Sequence, residues 1–405
     1  MNSDVNEDIR SQWMLDPKIT YLNHGSFGAT PKVILESQDG YRKMLEEEPV
    51  QFMVCRLPDL LWKTQCALGN LIHANPEDIV LVQNATEGVN SVLQSLHFDV
   101  GDEILYVDQV YGACKNIADF VAQKHGAICK SIALPIPVDD PEEIVQRICA
   151  AWTPKTKLLL LDHICSPTGW ILPIETVVSF FEQRGTPVLV DGAHALGQIS
   201  LDVTKLGASF YVANAHKWLC APKGTAFLYV REDWQSQIRP TCISHGASWE
   251  QGEYSRRHSL FQMEFSWTGT SDPTAHLCIP DCIQFMSGLH PDGLEGLQQE
   301  NTQRAQKYRK YLIDELGSNI LCPDSMVGHM GSFWIPKQRI VLPKGIEIPV
   351  GERLHPLWKY LYEEHHIEVV VFDVPDHIAI RFSIQKYVCD RDIQRLCQAL
   401  QFHTN

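Results

Sequence analysis

The chain alternates between short apolar runs and longer segments of helical periodicity. DIVLVQ (Asp78–Gln83) is followed by NATEGVNSVLQSL, where apolar residues recur at helical spacing. DEILYVD (Asp102–Asp108) is followed by ACKNIADFVAQKHG. TKLLLLDHI (Thr156–Ile164), TPVLVDGA (Thr186–Ala193) and ASFYVANA (Ala208–Ala215) continue the series. Near-continuous apolar runs with helices between them predict a parallel sheet buried on both faces. TAFLYVRE (Thr225–Glu232) follows after only a short turn, which predicts an antiparallel neighbour.

The texture changes after about residue 285. Gly293–Gly317, His355–His366 and Cys389–His403 each predict an amphipathic helix, with short strands such as IEVVVFDV and HIAIRFS between the last two. The expected fold class is therefore α/β, with a large sheet domain over residues 20–285. A smaller α+β domain would combine residues 1–19 with 286–405.

Composition narrows the function classes. Hydrophobic residues make up 44% of the 405 and charged residues 20%, as in ordinary globular proteins. The net charge of −15 argues against a general nucleic-acid or anionic-membrane surface. No stretch approaches the ~20 apolar residues of a membrane span. The 13 cysteines form no CxxC; the nearest pair is Cys278 and Cys282. With an acidic N-terminal stretch that lacks the features of a secretory signal, this predicts reduced thiols and a cytoplasmic protein.

In open α/β sheets, ligands bind where strands end and loops begin. Those points hold Thr86 and Glu87, Tyr111, His163 and Ser166, Asp191 and His194, and His216 and Lys217. No GxGxxG follows a first strand and no GxxxxGK[ST] occurs, so the dinucleotide and P-loop readings lack their parts. An aspartate ending one apolar run (VLVDGAH) and a lysine ending the next (NAHKW) suit pyridoxal phosphate. A lysine amine bonds its aldehyde, and a carboxylate pairs with its pyridine nitrogen. NATEGVN supplies a phosphate cradle from the Thr86 hydroxyl and the N–H groups around Ala85, Thr86 and Glu87 at a helix start. Tyr111 could cover the ring.

NATEGVN, DHICSPTG, VDGAHALG, NAHKWL, FSWTGTSD and RFSIQKYV together resemble the class V aminotransferase-like, fold-type I pyridoxal-phosphate enzymes, from about Tyr21 to about Tyr387. WMLDPKITYLNHGSFGATP, EEEPVQFM and LPDLLW are similar to the isopenicillin N epimerase-like branch. The resemblance implies a seven-stranded, mostly parallel sheet. It implies that Lys217 carries the cofactor and shuttles the Cα proton, and that Asp191 binds the pyridine nitrogen. His194 would contact the phenolic oxygen or substrate, Tyr111 the ring, and Thr86 and His216 the phosphate. Thr270 would reach the phosphate of a neighbouring subunit, implying a homodimer. Arg381 would hold the substrate α-carboxylate, a geometry that guanidinium suits. Asn23 and His24 would line the substrate entrance.

Two departures stand out. Related desulfurases carry a nucleophilic cysteine shortly before the arginine, but Val369–Arg381 contains none; Cys322 lies earlier and reads as structural. Those enzymes also often place asparagine where Ser166 stands, which implies a weaker contact of Ser166 with the cofactor oxygen or a contact made by His163 instead.

Blander readings apply elsewhere. His163, His194 and His216 lack metal-ligand spacing, so no metal site is expected. His365 and His366 finish a helix, Glu46–Glu48 form a solvated helix face, Arg256 and Arg257 read as solvated with a substrate acid group as the alternative partner, and Trp267 reads equally as packing or as a substrate contact. The expected activity is pyridoxal-phosphate chemistry at Cα of an amino acid. Epimerisation leads, with cysteine-conjugate C–S cleavage and transamination as alternatives. A non-catalytic binding protein is disfavoured by the intact Asp191 and Lys217.

Overall fold

A computed structural model describes residues 8–248, 259–340 and 355–401. Arg256 and Arg257 lie outside the described residues. The strands are β1 (Thr20–Tyr21), β2 (Ile79–Val82), β3 (Glu103–Val107), β4 (Ile128–Ile132), β5 (Thr156–Asp162) and β6 (Val188–Asp191). They continue with β7 (Phe210–Asn214), β8 (Ala226–Val230), β9 (Met330–Pro336), β10 (Ile367–Glu368), β11 (Val370–Val374) and β12 (His377–Ser383).

Seven strands form one sheet in the order β2-β8-β7-β6-β5-β3-β4. β8 runs antiparallel to both β2 and β7, as the short connection before it predicts, and the other pairs are parallel. The apolar runs are continuous because both sheet faces are covered. In β7, Phe210 and Val212 enter one core cluster while Tyr211 and Ala213 enter another. Leu158 and Leu160 of β5 likewise oppose Leu159 and Leu161. β4 escaped the sequence pattern because it is an edge strand, mostly exposed or half-buried.

The predicted C-terminal helices form over Gly293–Leu316, Pro356–His365 and Asp390–Gln401. β11, β12 and β9 make a separate antiparallel sheet. β1 pairs with β10, joining the N-terminal segment to residues 367–368. The joint continues through Ser383 N–H to Leu22 O at 2.8 Å and Gly25 N–H to Ser383 Oγ at 3.1 Å.

Gly28 brings this segment against the sheet domain. Its φ is +70°, and a Cβ there would stand 2.0 Å from the His216 carbonyl oxygen. Only glycine fits both the left-handed backbone and the close approach. Residues 24–28 are thereby held beside Lys217.

Candidate active site

The C-terminal ends of β5, β6 and β7 open into a cavity of about 350 Å³. Asp162, Asp191 and Asn214 project from those ends, and Asp162 pairs with Asp191 in register. Opposite them, helix Ala85–Ser95 begins. Asn84 caps it by accepting the Glu87 N–H at 2.9 Å. Asn214 Oδ1 accepts the Ala85 N–H at 2.8 Å, which ties the helix start to the end of β7. Thr86, also on the cavity wall, sits in the first turn, where N–H groups have no intrahelical acceptor. That geometry favours an anion.

Lys217 enters the same cavity. Its surroundings lower the cost of its neutral form. Trp218 Nε1–H can only donate, and it lies 3.4 Å from His194 Nδ1. Nδ1 therefore accepts, so the neutral ring carries its proton on Nε2. That nitrogen is 3.0 Å from Lys217 Nζ, which must accept through a lone pair. A protonated amine would need the other tautomer and would set Nδ1–H against the indole N–H. Burial acts in the same direction and brings the Lys217 pKa down to about 8; Asp191 opposes this and Arg381 reinforces it. Burial, followed by the Lys217 charge, holds His194 well below the usual histidine range.

Asp191 is fixed from two sides. Its Oδ1 accepts the Ala193 N–H at 2.9 Å and its Oδ2 accepts the Cys114 thiol at 3.1 Å. Burial, with Asp191 adding, pushes that thiol well above its ordinary range, so it stays a donor. Asp162 is different. It is 2% exposed, and its Oδ2 has no hydrogen-bond partner among the described residues. Burial, then the Asp191 charge, raises its carboxyl well above the usual range, against backbone N–H groups including that of Tyr111. The pair thus separates into an anchored carboxyl and one whose charged form is disfavoured.

His216 also lines the cavity. Its Nδ1–H donates to Thr225 O at 3.2 Å, and burial lowers its pKa to about 4. Tyr111 stands at the start of helix Gly112–His125, 45% exposed, on the cavity wall. Ser166 is on the wall too, and its carbonyl accepts from Arg381 Nη1. Arg381 Nη2 donates to Ser26 Oγ at 3.3 Å, while its Nε is buried without a partner. No carboxylate pairs with Arg381 among the described residues, and burial lowers its pKa to about 10. A guanidinium 3% exposed with only neutral partners suits an incoming anion.

Several expected residues lie elsewhere. His163 alternates away from the cavity: its Nδ1 meets Tyr211 OH at 2.8 Å, while its neighbours Asp162 and Ile164 line the wall. Glu87 turns back to accept the Gln83 N–H at 2.7 Å. His24 is not at an entrance. It is fully buried behind Lys217, whose carbonyl lies 3.0 Å from His24 Nε2, with Tyr387 OH 2.9 Å from Nδ1. Asn23 lines a neighbouring cleft instead. Thr270 is exposed and is not on the wall of this cavity. The residues missed from sequence are Asp162, Asn214, Asn84 and Cys114. The helix-capping position of Asn84 and the strand-end position of Asp162 were usable signals.

Residues 24–319 match the family described as aminotransferase class-V. The chain belongs to the class-V aminotransferase family. It is 32% identical over 404 residues to an isopenicillin N epimerase of Streptomyces clavuligerus, with 97% of each chain covered. It is 28% identical over 408 residues to a probable chloroplastic L-cysteine desulfhydrase of Arabidopsis thaliana, covering 95% of this chain and 83% of the relative. The cystine C–S lyase C-DES, solved with its product cysteine persulfide, superposes with a TM-score of 0.80 at 22% identity, covering 96% of this chain and 99% of that one. A second C-DES structure, with glycine covalently linked to the pyridoxal-phosphate cofactor, gives 0.81 at 23% identity, with 96% and 98% covered. The fold is that of fold-type I pyridoxal-phosphate enzymes, and this class-V member is a pyridoxal-phosphate-dependent enzyme. Its cavity fits such a group: two buried polar atoms, Asp162 Oδ2 and Arg381 Nε, are left without protein partners at or beside the wall.

Proposed function

We propose that this enzyme acts at the α-carbon of an amino acid, with Lys217 as the proton-transferring base, and that it is an epimerase. The carrying observation is the Trp218–His194–Lys217 chain, which favours a neutral amine in the cavity of Asp191. When bound, pyridoxal phosphate supplies an electron sink for negative charge at the substrate α-carbon. Lys217 would hold the cofactor and, once released, take the Cα proton. Asp191, anchored by Ala193 and Cys114, would pair with the pyridine nitrogen. His194 would orient the amine and face the phenolic oxygen. Tyr111 would cover the ring. Thr86 and the helix N-terminus would bind phosphate, with His216 contributing when Nε2 carries a proton. Arg381 would take the substrate carboxylate.

Return of a proton to the opposite face of Cα gives the epimer. Similarity to isopenicillin N epimerases over nearly the whole chain supports that outcome. C–S cleavage is the second reading, supported by similarity to L-cysteine desulfhydrases. A homodimer would give exposed Thr270 a phosphate to reach, in the neighbouring subunit. Thirteen unpaired cysteines support a cytoplasmic location.

The test is incubation with amino acids in deuterated water. Deuterium at Cα with loss of optical activity supports epimerisation; pyruvate and released sulfur support C–S cleavage. Lys217→Ala should lower Cα exchange by roughly 10³-fold or more. Exchange that survives this substitution would overturn the role of Lys217.

A further inference from the structure

A second cleft of about 590 Å³ opens beside the cavity, between the N-terminal segment and the C-terminal elements. Its wall is mainly apolar: Tyr21, Phe27, Trp358, Tyr362, Val370 and Val371. Trp358 and Tyr362 stack with centroids 5.2 Å apart and planes 9° from parallel.

Three observations join this cleft to the proposed carboxylate site. Phe27, 72% exposed, lines both the cavity and the cleft. Val370 lies directly opposite Arg381 in the antiparallel β11–β12 pair. Residues paired in this way present their side chains to the same sheet face. The third is a chain of hydrogen bonds. Arg381 Nη2 donates to Ser26 Oγ at 3.3 Å, and Ser26 Oγ–H donates to Asn23 Oδ1 at 2.6 Å. Asn23 Nδ2 then donates to Glu368 Oε1 at 2.8 Å, and Trp358 Nε1 donates to the same oxygen at 3.2 Å. Both rotameric freedom and the Glu368 acceptor are thereby spent inside the protein, which leaves the apolar faces for a ligand.

We infer that this cleft receives the substrate side chain, and that the substrate is an α-amino acid with a long side chain ending in an apolar or aromatic group. The inference rests on the proposed amino-acid chemistry at Lys217 and deepens it. The volume falls within the roughly 300–1,000 Å³ of sites that bury whole small ligands. A thiol side chain such as that of cysteine would leave it nearly empty. With the carboxylate on Arg381, a long side chain would run past Phe27 and meet the Trp358–Tyr362 stack.

The experiment uses the full chain loaded with pyridoxal phosphate. Cα–H exchange in deuterated water is followed for S-benzyl-L-cysteine and L-homophenylalanine, and for L-alanine and L-cysteine. The long substrates should exceed the short ones in kcat/KM by about tenfold or more. Trp358→Ala and Phe27→Ala should bring that ratio close to one, with the visible cofactor band as the check on folding; Phe27 is exposed enough to be replaced safely. In the cofactor-free protein, saturation-transfer NMR should reach the benzyl protons of S-benzyl-L-cysteine, and Trp358→Ala should abolish the transfer. A wild-type ratio near one, or variants that leave the ratio unchanged, overturns the cleft assignment alone. No exchange with any amino acid overturns the proposed reaction, and the NMR transfer then still decides whether the cleft binds the side chain.

Discussion

The two sides of the site are held in different ways. On the sheet side, polar groups are tied to near neighbours: Asp191 to Ala193 and Cys114, Ala85 to Asn214, and His194 to Trp218 and Lys217. On the opposite side, Arg381 meets only a carbonyl and a hydroxyl, and its Nε meets nothing. Strand ends are positioned by the sheet ladder, so on the sheet side only Asp162 Oδ2, among the groups named here, is left without a partner. The Arg381 side leaves a buried cation that a substrate anion would neutralise. In the proposed reaction the first side would carry the chemistry and the second the recognition of substrate.

The largest effect is expected for Arg381→Gln. A recognition role predicts a KM raised by about 100-fold with kcat changed much less, since truncating one partner of a buried charge pair costs roughly 2–5 kcal/mol in binding. The cofactor-free variant should also melt higher than wild type, because a buried cation without a counterion is removed. An unchanged KM with a lowered Tm would make Arg381 structural.

The next effect belongs to Lys217. Its pKa is about 8 in the folded protein against 10.5 ordinarily, so the unfolded chain binds more protons between those values. Stability of the cofactor-free protein therefore rises with pH across that window, and the full penalty applies below about pH 8. The shift corresponds to on the order of 3 kcal/mol. Lys217→Met should raise the cofactor-free Tm at pH 7, and the difference should fade above pH 10.5. A difference independent of pH would show that packing rather than charge is responsible.

The smallest effect is at Asp162. Its carboxyl pKa is raised by burial, so its charged form opposes folding as pH climbs above the ordinary aspartate value. Asp162→Asn keeps the shape and removes the ionisable group. It should leave exchange within about threefold, and should raise cofactor-free stability at pH 7 but not at pH 3. A large loss of exchange would move Asp162 from the wall into the chemistry.

Much of the sheet side was legible in the chain. Asp191 and Lys217 each follow an apolar run, and strand ends are where such folds place ligands. NATEGVN carries its own helix-start signal. His163 and Asp162 show where that reading stopped. Both sit at the end of β5, and alternation allows only one of them to face the cavity. Which one depends on the register of β5 against β6, which sets Asp162 beside Asp191. Similarly, LNHGSFG marked residues 23–24 as close to the site, yet His24 packs behind Lys217 while Asn23 faces the adjoining cleft.

The alternation of buried strands and helices is written in the chain, because burial on both faces demands continuous apolar runs. It also placed the lysine, the aspartate and the phosphate-type helix start at the ends of those runs. The tautomer of His194, the unpartnered Asp162 Oδ2 and Arg381 Nε, and the cleft between residues 15–27 and 355–371 come from tertiary contacts alone. Those features depend on contacts between separate elements, 24 residues apart for His194 and Trp218 and 355 apart for Ser26 and Arg381. Local periodicity carries no information about which distant side chains meet, or about how much water their meeting excludes.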